Sequence, residues 1–472
     1  MKYFAMDIGS TYLKTALIDC NELTIKLYPE LRMPPAWTDT DHLCHEIDAQ
    51  GVYTVIKDAL DRCVHAEKAC LAGILISTQM HGFLFSSPSG VPRSPYVSWQ
   101  DNRCLRQTGR GKSFLEEMRE KVSSERLLSH GLDLKPGLGF CNAVTARAQK
   151  SFPVQLGDYL LSLGAYVIFR LTGQPRCHMT NAAPLGLANV KQNSWDEKLI
   201  ELLGLDDLQF AQIAGDTEIC GYYKSEYGEI PVYADYGDQQ MAVLGSLMNH
   251  TTDINLNVAT AAQMAYICDD FTTGQYETRP YFEGRYLNTV TRLPSGRGLA
   301  VLIQLVEEIG SKVYGAQMDS GNIWRTVCEE VENNTADLFD CDVGYFPDLI
   351  GVNGGFISNI RHDNLTLGNL FGSVMKQYAK IYSGQIQKLV PDQDKLERLV
   401  YTGGAILRNQ TLQKMIRDET GLRDAPSPSS GEVFLGHLQM ALVCGGLCKN
   451  LTQAKQHVFY EDNLRCRIEK ES

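Results

Sequence analysis

"FAMDIGSTYLKTALID", residues 4–19, reads as two apolar strands joined by a short turn, and the turn is more polar than a chain reversal requires. Gly9 permits the tight reversal, while Ser10 and Thr11 offer N–H and hydroxyl donors suited to phosphate oxygens. Asp7 can hold a Mg2+ ion through its water shell, and Lys14 adds a cation just beyond the turn. A solvated hairpin turn uses the same residue types. The stretch therefore sets a β-hairpin at the start of the fold and leaves its ligand open.

Outward from this hairpin, "HLCHEIDAQGVYTVIKDALDRCVHA" (42–66) has the apolar spacing of an amphipathic helix and "AGILIST" (72–78) that of a buried strand. Strands alternating with helices indicate an α/β fold. The opening pattern returns in "TDINLNVATAAQMAYIC" (252–268), again strand, short turn and strand, with Asn257-Val258-Ala259-Thr260 lying over Asp7-Ile8-Gly9-Ser10. A duplicated hairpin-led domain is the economical reading, although two unrelated hairpins are common in α/β chains of this size. The chain has 472 residues, more than one core usually supports, and two domains are expected, divided at 1–247 and 248–472.

Composition narrows the function classes. Hydrophobic residues make up 44% and charged residues 21%, ordinary values for a globular chain, and no apolar run reaches the length of a membrane span. No secretory leader pattern precedes the first strand, so the expected location is the cytoplasm. There, the fourteen scattered cysteines are expected to be reduced. A net charge of −12 argues against nucleic acid, whose phosphates demand a basic surface, but leaves room for a nucleotide held locally by backbone N–H groups and a divalent cation.

Three further segments carry polar groups at strand ends. "STQMHGFLF" (77–85) offers Gln79, His81 and a glycine where open α/β sheets bind ligands, and "SWQDNRC" (98–104) sets Trp99, Asp101 and an arginine close together, enough to stack on and hydrogen-bond a polyol. A structural histidine and a surface ion pair would read the same way. In "PVYADYGDQQMAVLGSLM" (231–248) a strand turns at Gly237 into a helix that starts with Asp238 and Gln239. Phosphoryl transfer to an alcohol needs a carboxylate to accept the hydroxyl proton, and Asp238 can supply it; a helix N-cap uses the same residue type in the same place. "LVYTGGAILRNQTLQKMI" (399–416) repeats strand, glycine pair and helix, and Gly403 and Gly404 let backbone approach a ligand there.

Taken together, "DIGSTYLK", "QMHG", "SWQDNR", "DYLLSLGAYVIFRLTG" (158–173), "YGDQQ", the Thr260 turn and "TGGAILRNQ" resemble the FGGY carbohydrate kinases in order and spacing over essentially the whole chain. "LNVATAAQMA" (256–265) and "PYFEGRYLNT" (280–289) look closest to the sedoheptulokinases. The resemblance implies two actin-like, ribonuclease-H-like α/β domains with the catalytic cleft between them, and ATP with Mg2+ as the phosphoryl donor. It implies Asp238 as general base, with Asp7 and Asp238 near the metal, and a sugar site of Met80, His81, Trp99, Asp101, Asp238 and Gln239. The nucleotide would meet Gly9, Ser10, Thr11, Lys14, Thr260, Gly403, Gly404, Ala405 and Asn409. The acceptor would be a ketose, sedoheptulose before xylulose, and a homodimer is expected only by analogy. A non-catalytic ATPase on the same actin-like fold is the alternative of another class. Ala259-Thr260-Ala261 stands where most of the family has Gly-Thr-Ser, which puts individual phosphate contacts in doubt.

Overall fold

The computed structural model describes residues 1–68, 71–259, 261–333, 339–342, 354–390, 392–425, 427–428, 431–460 and 463–471. Two mixed sheets organise it. The first runs in the order Ile219–Ser225, Gly228–Gly237, Gly73–Thr78, Lys2–Ile8, Tyr12–Asp19, Thr24–Leu27 and Arg467–Lys470. The second runs Glu277–Pro280, Tyr286–Leu293, Ala262–Cys268, Asp253–Val258, Arg398–Thr402 and Arg423–Ala425.

The two sheets share one plan. In each, the leading strand pairs antiparallel with its hairpin partner, and that partner pairs antiparallel with a third strand. On its other edge the leading strand pairs parallel with a later strand, which pairs parallel with another. The parallel connections need helical crossovers, and Ala49–Glu67 and Leu367–Leu389 occupy the corresponding places in the chain. The two hairpin turns also correspond in register: Asp7 lies opposite Ser77, and Asn257 lies opposite Thr402. The first hairpin closes at the pair Ile8 and Leu13 and the second at Val258 and Ala262, so the reversals differ by one residue in length.

Hydrophobic patterning explains why these strands are central. Every residue of Gly73–Thr78 is buried, as a strand covered on both faces requires. Three apolar clusters form. One surrounds the first sheet, one the second, and a third, built on Phe83, Phe85, Phe140 and Leu187, belongs to the segment inserted between the first sheet's parallel strands.

The first lobe draws on both ends of the chain. After the second sheet, the helix Glu432–Cys444 packs on the helix Asp238–Gly245, and Arg467–Lys470 pairs parallel with Thr24–Leu27. Leu435, Leu438 and Leu442 of this returning helix are fully buried, each contributing roughly 2 kcal/mol of transfer free energy. Its backbone approaches that of the partner helix closely: a Cβ on Gly245 would lie 1.5 Å from the Glu432 carbonyl oxygen, and one on Gly436 would lie 2.4 Å from that of Met241. Among the described residues no helix is long and apolar enough to cross a membrane, and the cysteines form no disulfide.

Candidate active site

A cleft cavity of about 390 Å3 gathers Asp7, Met80, His81, Trp99, Lys135, Asp238, Gln239, Arg279 and Arg292, together with Val433 of the returning helix. Asp7 is near the end of the first strand, His81 follows the Gly73–Thr78 strand, and Asp238 opens its helix immediately after Gly237. All three stand at carboxyl ends of first-sheet strands, the edge at which α/β sheets present ligands. Arg279 comes from the second sheet, so the cavity has walls from both lobes.

Asp238 is the carboxylate of the "YGDQQ" segment that faces the cavity. Burial, and then repulsion from Asp7, push its pKa up to about 7, while the Gln239 N–H and Arg279 pull the other way. Its Oδ1 accepts the Gln239 backbone N–H at 2.8 Å. Asp235, three residues earlier, is also fully buried, but it accepts the His178 N–H at 2.7 Å and Asn181 Nδ2 at 2.9 Å and lies off the cavity. A carboxylate poised near neutrality beside an acceptor cavity suits a general base.

Asp7 is buried, which raises its pKa against the opposing influences of Lys14 and the Ser77 hydroxyl. Lys14 is exposed on the paired hairpin strand directly opposite Asp7. The donor set of Asp7 and Asp238 fits a divalent cation: two carboxylates share one cavity and repel each other, and opposite charge between them would relieve that. Among the described residues no cluster of three or more His, Cys, Asp or Glu forms a closed cage, so such an ion would keep water and phosphate oxygens, as Mg2+ does.

One wall of the cleft is a hydrogen-bond network that ties the lobes together. His81 takes a left-handed backbone, φ +68°, and its Nδ1–H donates to the Pro184 carbonyl at 3.1 Å, leaving Nε2 to accept from Arg279 Nη2 at 3.3 Å. Burial, with Arg279 and Lys135 nearby, holds its pKa down to about 3, so the ring is a neutral acceptor. Arg279 also donates to Gln239 Oε1 and to Glu277 Oε2, the latter from Nη2 at 2.7 Å, and Gln239 Nε2 donates to Thr289 Oγ1 at 2.8 Å. Lys135 closes the network by pairing with Glu277. Burial works to raise the Glu277 carboxyl, but Arg279 and Lys135 outweigh it and hold it well below the usual carboxylate range. Lys135, Thr291 and Arg292 also wall an adjoining cavity of about 590 Å3. Lys135, Glu277 and Arg279 were not singled out in the sequence. The one signal was that Arg279 immediately precedes the quoted "PYFEGRYLNT".

Two expected contacts lie elsewhere. Asp101 is fully buried and accepts Arg103 Nε and Nη2, each at 2.8 Å, and the His45 N–H at 2.7 Å. It is a structural ion pair off the cavity, because the neighbouring arginine that suggested a polyol site takes up the carboxylate itself. Asn409 is buried, and its Oδ1 caps the helix Gln410–Thr420 by accepting the Leu412 N–H at 2.9 Å. That amide oxygen serves the helix.

None of the described residues expected to meet the nucleotide lines the cleft cavity, but the glycine loops of the second lobe approach one another as backbone. Gly9 to Thr11 form the first turn, where the Gly9 N–H donates to the Tyr12 carbonyl at 3.1 Å and Ser10 and Thr11 remain accessible. Gly403 has φ +88°, and a Cβ there would lie 2.6 Å from the Val258 carbonyl oxygen, so only glycine lets this loop approach the second hairpin. Gly404 and Ala405 start the helix that follows. A Cβ on Gly296 would come within 2.8 Å of Ala405 Cβ, and its N–H donates to the Ala259 carbonyl at 3.2 Å, which brings a second helix start to the same place. Gly296 escaped the sequence reading because no strand leads into it with a glycine pair. Thr260 lies outside the described residues.

A two-lobed α/β fold with duplicated sheets is an actin-like architecture, and a carboxylate near neutrality in its cleft suits phosphoryl transfer to an alcohol. Comparison with known proteins agrees. The N-terminal domain of the FGGY family of carbohydrate kinases matches residues 2–245, and the chain belongs to that family. It is 25% identical to a sedoheptulokinase from Mus musculus over 458 residues, 87% of this chain and 91% of that one. It is 29% identical to a glycerol kinase from Thermococcus onnurineus over 272 residues, 54% of this chain; that match spans only 52% of the relative's length. A xylulose kinase structure from Lactobacillus acidophilus superposes with a TM-score of 0.78 at 16% identity, covering 96% of this chain and 91% of that one.

Proposed function

We propose that the protein transfers the γ-phosphoryl group of ATP to the terminal hydroxyl of a ketose, with sedoheptulose as the acceptor and sedoheptulose 7-phosphate as the product. One observation carries the reading: Asp238, with a pKa near neutrality, shares a cavity with Asp7 and with the neutral acceptor His81. Asp238 takes the proton from the hydroxyl, whose oxygen attacks phosphorus in line while the β-phosphate oxygen leaves. His81, Gln239 and Arg279, already fixed by one another, orient the acceptor, and Met80 and Trp99 supply its apolar wall. When bound near Asp7, Mg2+ supplies charge neutralisation of the phosphate oxygens.

On this reading residues 1–247 carry the sugar site and first phosphate turn, and residues 248–472 the nucleotide loops, with the returning tail completing the first lobe. The sedoheptulokinase relative, matched along most of its length, supports the heptulose. The xylulose kinase structure keeps the shorter ketose as the second reading. The protein would act in the cytoplasm, as a homodimer if it follows the family analogy. The test is ADP release with Mg·ATP across sedoheptulose, D-xylulose, L-ribulose, D-fructose and glycerol. Highest kcat/KM on sedoheptulose supports the reading and preference for xylulose replaces the acceptor, whereas sugar-independent turnover removes the kinase in favour of an actin-like ATPase.

A further inference from the structure

The returning helix Glu432–Cys444 does more than cover the first sheet. His437 is fully buried on it, one turn beyond Val433, which lines the cleft. Its Nε2 lies 3.0 Å from Ser77 Oγ, and Ser77 Oγ lies 3.0 Å from Asp7 Oδ1. Ser77 is itself fully buried on the strand paired with that of Asp7.

Proton inventory gives this chain a direction. The Ser77 hydroxyl donates its single proton to Asp7 Oδ1, and the Ser77 oxygen can in turn accept a hydrogen bond from His437 Nε2–H. The Met6 carbonyl is a second, longer acceptor for the hydroxyl at 3.4 Å, and the Met6 backbone is also a hydrogen-bond partner of His437. His437 is equipped for this task. Burial holds it neutral, its pKa down to about 3, and its Nδ1 has no hydrogen-bond partner among the described residues, which fits a ring carrying its proton on Nε2. The rings of Phe434 and Tyr236, with centroids 6.0 and 6.5 Å away, pack beside the imidazole. The same helix backs the Asp238 helix through Gly436 and Gly245, so one element from the chain's far end supports both cleft carboxylates.

We propose that His437 is a positioning residue for the cation: through Ser77 it holds Asp7 Oδ1 in a hydrogen bond and leaves Oδ2 turned to the cavity as the oxygen that faces the ion's water shell. The inference rests on Asp7 being the carboxylate of the cation site. Partners one step removed from a metal commonly alter affinity by about 10–100-fold when deleted.

The test measures binding of ADP by calorimetry with and without Mg2+, beside thermal melting, in His437→Leu, His437→Gln, Ser77→Ala and Asp7→Asn. His437→Leu should reduce the Mg2+-dependent tightening of ADP by roughly tenfold and leave Mg2+-free ADP binding unchanged. His437→Gln, whose amide reaches the position of Nε2, should restore most of it. Ser77→Ala should show the same defect without disturbing the helix, and adding His437→Leu to it should cost nothing more, because both sever one chain. Wild-type Mg2+ dependence in Ser77→Ala overturns the proposal, and this variant decides the matter if His437→Leu does not fold. Equal loss in the Gln and Leu variants, tracking a lowered melting temperature, also overturns it. Asp7→Asn separates the two layers of the argument: a normal Mg2+ response there removes the cation site itself, whereas a defect confined to Asp7→Asn removes only the relay.

Discussion

Replacing Asp238 with Asn removes the proton acceptor while keeping the shape of the side chain and its hydrogen bond to the Gln239 N–H. With the carboxyl pushed up to about 7, chiefly by burial and then by Asp7, the reactive form of the free enzyme is the ionised one that accumulates above that pH. About a tenth of the molecules are ionised one unit below the pKa and about nine tenths one unit above, so kcat/KM for the sugar should rise about tenfold from pH 6 to pH 8. Asp238→Asn should lower turnover by about 10²–10⁴-fold and abolish that rise. Asp7→Asn removes a repulsive neighbour and should move the wild-type limb to lower pH. The assay is coupled ADP release at subsaturating sugar over pH 5.5–8.5, with buffers held at one ionic strength. A flat wild-type profile, or an Asn variant retaining more than about a tenth of wild-type turnover, refutes the assignment of Asp238 as base.

Other perturbations read different parts of the molecule. Arg103→Met strands a fully buried Asp101 without its partner and should cost about 3–5 kcal/mol in chemical denaturation while leaving the sugar KM unchanged, since neither residue lines the cleft. Gly403→Ala places a side chain at positive φ against the Val258 carbonyl, a strain of about 1–3 kcal/mol, and should raise the KM for ATP more than that for sugar in steady-state assays. Lys135→Met removes one of the two cations on Glu277 at the junction of the two cavities, leaving Arg279, and should raise the sugar KM severalfold, more for heptulose than for xylulose in paired measurements.

The hairpins, and Asp238 at a strand-to-helix turn, were legible because local spacing encodes them: alternation, a glycine and a carboxylate at a helix start. His81, Met80, Trp99 and Gln239 line the cleft, since the ends of central strands converge by topology alone. Asp101 and Asn409 show the limit of that logic, because an ion pair and a helix cap draw on the residue types that bind polyols and nucleotides. Lys135 and Glu277 stand 142 residues apart, and His437 lies 360 residues from Ser77. No local pattern announces a hydrogen bond whose partners meet only when the second lobe and the returning tail are in place.

The route of the chain also sets how the cleft can open. The chain leaves the first lobe after Gly245, enters the second sheet at Asp253, leaves that sheet after Ala425 and rejoins the first lobe at the helix beginning with Glu432. Two covalent crossings, in place of one, join the lobes, and two tethers restrain relative displacement more than one would. The network of His81, Arg279, Gln239, Glu277 and Lys135 adds a non-covalent tie across the cleft. A ligand that took over the Arg279 and Lys135 contacts would remove that tie and leave the covalent crossings as the links between the lobes.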